Sequence, residues 1–255
     1  MLFWRYLKDY LLSFTYNKNQ VFLVSFPKTG RTWLSYMLNQ IEIKSKREIN
    51  YLKTHDFSEI IIESGYKQNP NLIFKYVKRY FYRRAKVIFL VRDPRDVVVS
   101  HFHQITKRTK KPLSFLSISD FVRHKTLGFN RIIQFYNLWY YQKKIASDFF
   151  LVKYEDLINN GENELKKIFK FLEINIDDKI IKEVYKKSSA DKMRDKELGN
   201  NLSGFNDFGK EVNYLKVRKA KIGSYLDELS KSDIEYCNHL LKNLKGFNFY
   251  KWFIF

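Results

Sequence analysis

The sequence predicts an α/β fold: a single domain over residues 1–255 in which helices flank a parallel β-sheet. Three apolar runs support this prediction: Val21–Ser25, Lys86–Val91 and residues 149–153. Each run has the length of a strand, and each is followed by a loop and then by a helical pattern. Strands that are apolar throughout and alternate with helices are typical of a parallel sheet covered on both faces.

The first of these units places a strand, a loop and a helix in direct succession. Pro27 and Gly30 end the strand Val21–Ser25, and a helix is expected from Thr32 onward. Its apolar residues recur at helical spacing: Trp33, Leu34, Met37, Leu38 and Ile41.

The later units repeat this order. The loop 92–94 follows the second strand and precedes a helix that begins at Asp96, and residues 154–157 follow the third strand. Beyond Gly161 the pattern is mainly helical. Residues 195–209 interrupt it with repeated glycine and asparagine, so we predict a long loop or lid there.

Composition restricts the class of protein. With 45% hydrophobic residues, the 255-residue chain suits one globular domain. Cys237 is the only cysteine, which excludes an intrachain disulfide and a thiolate zinc cluster and favours the cytoplasm. The formal net charge of +20 attracts nucleic acids, anionic membranes or phosphorylated ligands, although A/T-rich codon usage would explain surplus lysine equally well.

Residues 1–18 are predicted to form an amphipathic segment without the continuous apolar centre of a signal peptide. This segment either packs on its own domain or makes peripheral contact with a membrane surface. No apolar run approaches the roughly 20 residues that span a bilayer, so we expect no transmembrane helix.

Residues 25–33, with the sequence SFPKTGRTW, predict a phosphate-binding loop. The amides of the first helical turn can point at an anion, and Gly30 lets the backbone approach it closely. Thr29 and Thr32 offer hydroxyl donors, and Lys28 supplies a positive charge.

The order of residues in this loop differs from that of P-loop hydrolases that use ATP and magnesium. Those enzymes need a glycine, four residues, a second glycine and then lysine followed by serine or threonine. Here Lys28 precedes Gly30, and no such pair follows. The loop is therefore P-loop-like in architecture, and the nucleotide phosphotransferase hypothesis is weakened.

At this loop the chain resembles the cytosolic type of sulfotransferase, which uses 3'-phosphoadenosine-5'-phosphosulfate (PAPS). Further segments match that family in order: 53–55 (KTH), 91–100 (VRDPRDVVVS), 154–157 (YEDL) and 218–223 (RKAKIG). Ordered matches across about 21–225 are hard to obtain by chance. The resemblance implies that PAPS donates a sulfuryl group, without a required metal, to a hydroxyl or amine of a small-molecule, lipid or glycan acceptor.

The resemblance also implies where the donor binds. The 5'-phosphate is expected at the first helical turn, which includes Arg31. The residues expected at the 3'-phosphate are Arg92, Ser100, Arg218 and Lys219. The residues expected at the adenine are Trp33, Tyr154 and Ser188, with Ala190 and Met193 nearby. Ala220 stands where the family commonly has glycine.

By the same resemblance, His55 is the general base and Lys53 neutralises charge on the sulfuryl oxygens. An imidazole with a pKa near 6.5 can remove a proton from an acceptor at neutral pH. In a strand, Lys53 and His55 would lie on the same face. We assign Lys28 to the bridging oxygen on which charge accumulates as the donor breaks.

Other interpretations stay open at this stage. The chain could be a P-loop-type nucleotide phosphotransferase, or a basic protein that binds nucleic acid or anionic membranes. Arg92 could pair with Asp93 or Asp96, and Trp33 and Tyr154 could be core residues. We expect no specific nucleic-acid partner, and the sequence does not reproduce the family's C-terminal dimer motif, so it predicts no oligomeric state.

Overall fold

The computed structural model describes residues 20–56, 82–108, 112, 114, 117–199, 215–218 and 220–246. Within them the strands are β1 (Val21–Ser25), β2 (Tyr51–Thr54), β3 (Lys86–Val91) and β4 (Asp148–Lys153). The helices are α1 (Arg31–Ser45), α2 (Pro94–Lys107), α3 (Ile118–Arg123), α4 (Phe129–Gln142), α5 (Tyr154–Leu172), α6 (Asp178–Lys187), α7 (Ala190–Leu198) and α8 (Lys231–Leu241). Short 3₁₀ turns occupy Lys143–Ile145 and Ser224–Asp227.

The sheet in the described part of the chain has four strands in the order β2-β1-β3-β4. Every neighbouring pair is parallel, with Leu23 of β1 opposite both Lys53 of β2 and Ile88 of β3. This confirms the predicted α/β class. Because the strands are parallel, their carboxyl ends and the loops that follow them meet at one edge of the sheet.

Helices cover both faces of this sheet, because alternate strand residues point to opposite sides. Phe22 and Val24 face a cluster formed with α2, α4 and α8. Val21 and Leu23 face the other cluster, formed with α1, α5 and α6. The central strands β1 and β3 are therefore buried on both faces, as their continuous apolar pattern predicts.

Two predicted segments lie wholly or partly outside the described residues. The amphipathic segment 1–18 lies outside them, so the predicted extent of the domain stays a prediction. Of the loop predicted over 195–209, the structure assigns residues 195–198 to α7, which ends at its C-cap Gly199. The loop prediction was wrong for these residues, because a helix that begins after Ser189 continues through them, and residues 200–209 are not described.

The buried carboxylate of Asp96, in the first turn of α2, connects the β3 edge to the C-terminal part of the chain. It accepts hydrogen bonds from the Gly223 amide at 2.9 Å, and from the Ser224 hydroxyl and the Tyr225 amide at 3.0 Å. It also lies 3.4 Å from the guanidinium of Arg92. One side chain therefore fixes the C-terminal segment against the end of β3.

We predict that Asp96→Ala lowers the free energy of unfolding by about 3–5 kcal/mol, because it leaves buried donors and the Arg92 charge without their acceptor. Urea denaturation measures the change. The control is Asp178→Ala, which removes an exposed partner of Lys166 and should cost less than about 1 kcal/mol. Equal losses in the two variants would contradict the role given to Asp96.

Candidate functional site

A cavity of about 420 Å³ opens at the carboxyl edge of the sheet. Ten of the residues that the sequence assigns to the site line it: Lys28, Gly30, Arg31, Thr32, Trp33, His55, Arg92, Ser100, Tyr154 and Arg218. They come from the loops after β1, β2 and β3, from helices α1, α2 and α5, and from the C-terminal segment. The fold thus brings together residues that are far apart in the sequence.

The loop between β1 and α1 has the backbone of an anion cradle. Gly30, the N-cap of α1, has φ 98°, and no side chain caps the helix. A Cβ at this position would lie 2.6 Å from the Tyr154 ring, so both conformation and space require glycine. Lys28 also has a left-handed backbone, with φ 73°, a strained geometry that is frequent at functional sites.

Thr29 does not contribute its hydroxyl to the cavity. Its side chain is fully buried, and Oγ1 donates to the carbonyl oxygen of Phe26 at 3.0 Å. This corrects the prediction of a hydroxyl donor for phosphate. The hydroxyl of Thr29 closes the turn instead. Thr32, in the first turn of α1, is the threonine of this segment that lines the cavity.

The ammonium group of Lys28 lies in a buried, positively charged environment. Its Nζ donates to Oε1 of Gln104 at 3.2 Å. Burial, followed by the charges of Arg108 and Lys216, holds the pKa of Lys28 well below its usual value. Such a site favours an anion, because a negative charge beside Lys28 would offset this repulsion.

The structure defines which nitrogen of His55 can act as a base. Nδ1 lies 2.9 Å from the carbonyl oxygen of Ser25, which can only accept a hydrogen bond. Nδ1 therefore carries the proton, and Nε2 carries the basic lone pair. Burial, together with the charge of Arg31, lowers the pKa of His55 to about 3, so the imidazole is neutral at pH 7.

Lys53 does not share the position of His55. Strand β2 ends at Thr54, so the strict alternation that would place both side chains on one face stops before His55. Lys53 is exposed and does not line the cavity, although its charge lowers the pKa of Lys216. The prediction that Lys53 lies at the sulfuryl group is not supported by this geometry.

Arg92, Ser100 and Arg218 all line the cavity. The guanidinium of Arg92 stacks 4.4 Å from the centre of the Tyr154 ring and donates to the Lys221 carbonyl at 3.1 Å. Its contact with Asp96 shows that the ion-pair interpretation also holds, so Arg92 both pairs and lines the cavity.

Arg218 is oriented by a carboxylate. Its Nη1 lies 2.6 Å from Oε1 of Glu228, whose other oxygen lies 2.6 Å from Nε2 of His103. Lys219, the fourth residue expected at the 3'-phosphate, lies outside the described residues. Ala220 has a left-handed φ of 50°, which explains why glycine is suited to this position.

Trp33 and Tyr154 form an aromatic wall of the cavity, with ring centres 5.7 Å apart in an edge arrangement. Ala190 and Met193 also line it. Ser188 does not: its buried hydroxyl donates to the Val184 carbonyl at 2.7 Å. The Ser188 carbonyl accepts from the Trp33 indole at 2.6 Å, so this serine positions Trp33 and the predicted direct adenine contact is corrected.

Sequence reasoning missed other cavity residues, notably His101, Gln104 and Lys216. Gln104 lies one helical turn after Ser100, so helical spacing from the matched segment could have identified it. Lys216 belongs to the basic run KVRKAK. Such a run is usually solvated, so the sequence alone does not identify this lysine as a cavity residue. His101 packs against Phe26 with ring centres 5.6 Å apart, and burial lowers its pKa to about 3.

Among the described residues, no group of three or more histidine, cysteine, aspartate or glutamate side chains could hold a metal ion. None of the helices in those ranges is long and apolar enough to cross a membrane.

The fold and the cavity define a nucleotide-dependent transferase, and comparison with known proteins gives its family. The model of the sulfotransferase domain matches residues 18–247. The chain therefore belongs to the PAPS-dependent sulfotransferase family, as its ordered motifs predict. The enzyme class and donor inferred from the resemblance are confirmed, and the phosphotransferase and binding-protein alternatives are set aside.

Individual relatives agree with this assignment. The chain is 28% identical over 214 residues to sulfotransferase 2A6 of Rattus norvegicus, covering 78% of this chain and 74% of the relative. It is 25% identical to sulfotransferase 2A1 of Macaca fascicularis, and the match covers 90% of this chain and 85% of that relative.

Solved structures share the fold. Mouse sulfotransferase SULT7A1 complexed with PAP has a TM-score of 0.63 at 16% identity, covering 93% of this chain and 88% of that one. Retinol dehydratase in complex with androsterone and inactive cofactor PAP has a TM-score of 0.64 at 16% identity. This match covers 94% of the present chain and 85% of the dehydratase chain.

We predict that the imidazole of His55 stays neutral in the ligand-free protein from pH 8 down to about pH 4. A group whose pKa is lowered to about 3 takes up its proton only as the pH falls towards that value. Nitrogen-15 NMR of the imidazole ring, assigned with His55→Gln, measures this directly. A midpoint near 6.5 would show that burial and the charge of Arg31 do not lower this pKa as described.

Proposed function

We propose that the chain transfers the sulfuryl group of PAPS in line to a hydroxyl or amine of a small-molecule acceptor, with His55 as general base. The observation that carries the proposal is the shared cavity of Lys28, His55, Arg92 and Arg218. Cationic side chains and a neutral imidazole of defined tautomer line this one cavity.

In this proposal the amides of the first turn of α1, including those of Arg31 and Thr32, bind the 5'-phosphate. Arg92, Ser100 and Arg218 bind the 3'-phosphate, which a monophosphate nucleotide lacks. The aromatic wall of Trp33 and Tyr154 contacts the adenine.

The transfer itself needs few protein groups. Nε2 of His55 removes the proton from the acceptor as its oxygen or nitrogen forms a bond to sulfur. The bond from sulfur to the bridging oxygen breaks, and 3'-phosphoadenosine-5'-phosphate (PAP) leaves with that electron pair. Lys28 donates a hydrogen bond to the bridging oxygen, where negative charge accumulates.

The acidic residues near Tyr154 are poorer candidates for the base. Glu155 is buried, and its Oε1 accepts the Asp93 amide at 2.8 Å. Asp156 is partly exposed and lies 3.9 Å from Lys153. Neither lines the cavity.

The location of the protein stays a prediction: cytoplasmic, with residues 1–18 as a candidate contact with a membrane surface. The resemblance also allows lipid and glycan acceptors. These differ from the proposed small-molecule acceptor in the space that they need around the reacting hydroxyl. An acceptor library assayed with labelled PAPS separates these classes.

We predict that PAP raises the melting temperature by several degrees more than AMP does, because only PAP presents a 3'-phosphate to Arg92 and Arg218. Thermal unfolding with each nucleotide at equal concentration measures the difference. Equal shifts with PAP and AMP would exclude a 3'-phosphate site.

Arg92→Lys should weaken PAP binding by about 2 kcal/mol, or roughly 30-fold, because lysine cannot make the bidentate contact. AMP binding should change little. Arg95→Lys is the matched control: Arg95 is fully buried, is paired with Asp93 at 2.7 Å and does not line the cavity. It should lower stability while sparing the preference for PAP over AMP, and calorimetry with both nucleotides tests the contrast.

His55→Ala should keep PAP affinity within a few fold yet lower acceptor turnover by about 10²- to 10⁴-fold, the range for loss of positioned acid–base catalysis. Turnover is measured with labelled PAPS and any acceptor found in the library. Full turnover in this variant would place the base elsewhere. The control is the slow hydrolysis of PAPS to PAP without an acceptor. The rate of this hydrolysis should depend on Lys28 even if it does not depend on His55.

A further inference from the structure

We propose that Lys216, together with Arg31, forms a subsite for an anionic group on the acceptor, namely a carboxylate, phosphate or sulfate beside the reacting hydroxyl or amine. This inference rests on the proposed function, because His55 marks where the acceptor binds. Lys216, Arg31 and His55 line the same cavity.

The backbone around Lys216 is held in place by α7. The carboxylate of Glu197 accepts the Lys216 amide at 2.5 Å and the Val217 amide at 3.0 Å. Arg194 donates to the carbonyls of Val217 at 3.2 Å and of Arg218 at 3.4 Å. Because both its amides and its carbonyls are bonded, the segment presents Lys216 to the cavity from a fixed backbone.

Positive charge is concentrated around this lysine. Burial, and then the charges of Arg108 and Arg31, lower the pKa of Lys216 to about 8. Glu197 opposes this effect, but its carboxylate also accepts the two amides and lies 3.5 Å from Arg108. An anion bound beside Lys216 and Arg31 would reduce the repulsion within this cluster.

Lys216 lines the same cavity as His55 and Lys28. Its charge also lowers the pKa of both groups, which agrees with this shared position. The 3'-phosphate, by contrast, is assigned to Arg92 and Arg218. An acceptor whose hydroxyl reaches His55 therefore brings its neighbouring substituents towards Lys216.

The test uses protein saturated with PAPS and titrated by calorimetry with benzoate, or with benzamide as a neutral analogue of the same size. PAPS fills the sulfuryl position, so benzoate cannot bind there. We expect benzoate to bind about tenfold more tightly than benzamide, as one charge-assisted contact provides. Lys216→Met and Lys216→Gln should abolish the preference, and Lys216→Arg should keep it.

The matched control is Lys182→Met, which removes an exposed lysine of α6 and should behave as the wild type. No preference in the wild type, or an unchanged preference in Lys216→Met and Lys216→Gln, would overturn the proposal. A preference seen with PAP but lost with PAPS would also overturn it, because the cations would then serve the sulfuryl group. Failure of His55 as the base would appear separately, as retained turnover in His55→Ala.

Discussion

The buried carboxylate of Asp96 joins two parts of the chain on which the cavity is built, helix α2 and the C-terminal segment. It holds the amide of Gly223, 127 positions further along the chain, against the first turn of α2. Closing so long a connection is entropically unfavourable, and the bonds to Ser224 and Tyr225 help to offset that cost. Asp96 thus fixes residues 223–225, while Glu197 and Arg194 of α7 hold the preceding residues that carry Arg218.

In the proposed mechanism, the positive charge of the cavity links donor binding to catalysis. Burial is the main cause of the lowered pKa of His55, and the charges of Arg31 and Lys216 add to it. The imidazole is thus kept neutral chiefly by its burial, and no carboxylate partner is needed for that purpose. The cost is repulsion around buried Lys28 in the ligand-free protein, a destabilisation that is common at functional sites.

The sequence predicts the fold well because three of its strands are short, largely apolar runs that alternate with helical segments, a pattern typical of a parallel sheet covered by helices. The resemblance to the family also predicts ten of the residues that line the cavity, and the parallel strands bring them together because the loops after such strands meet at one edge. Thr29, Lys53 and Ser188 show the limit of this reasoning: residue type and spacing do not specify which way a side chain points. Lys216 was missed because residues distant in the sequence create its environment.

The position of His55 shows why Lys53 need not act at the sulfuryl group. The imidazole is bonded to the Ser25 carbonyl of the neighbouring strand. The next residue, Asp56, is buried and accepts from Tyr82 at 3.1 Å and from Trp139 at 2.9 Å. The imidazole of His55 is thus held through its ring and through its neighbour in the chain, the precision that the proposed in-line transfer requires of a base. Lys53 precedes this anchor on an exposed part of β2, so among the lysines that the resemblance assigns to the transfer, Lys28 is the one that lines the cavity.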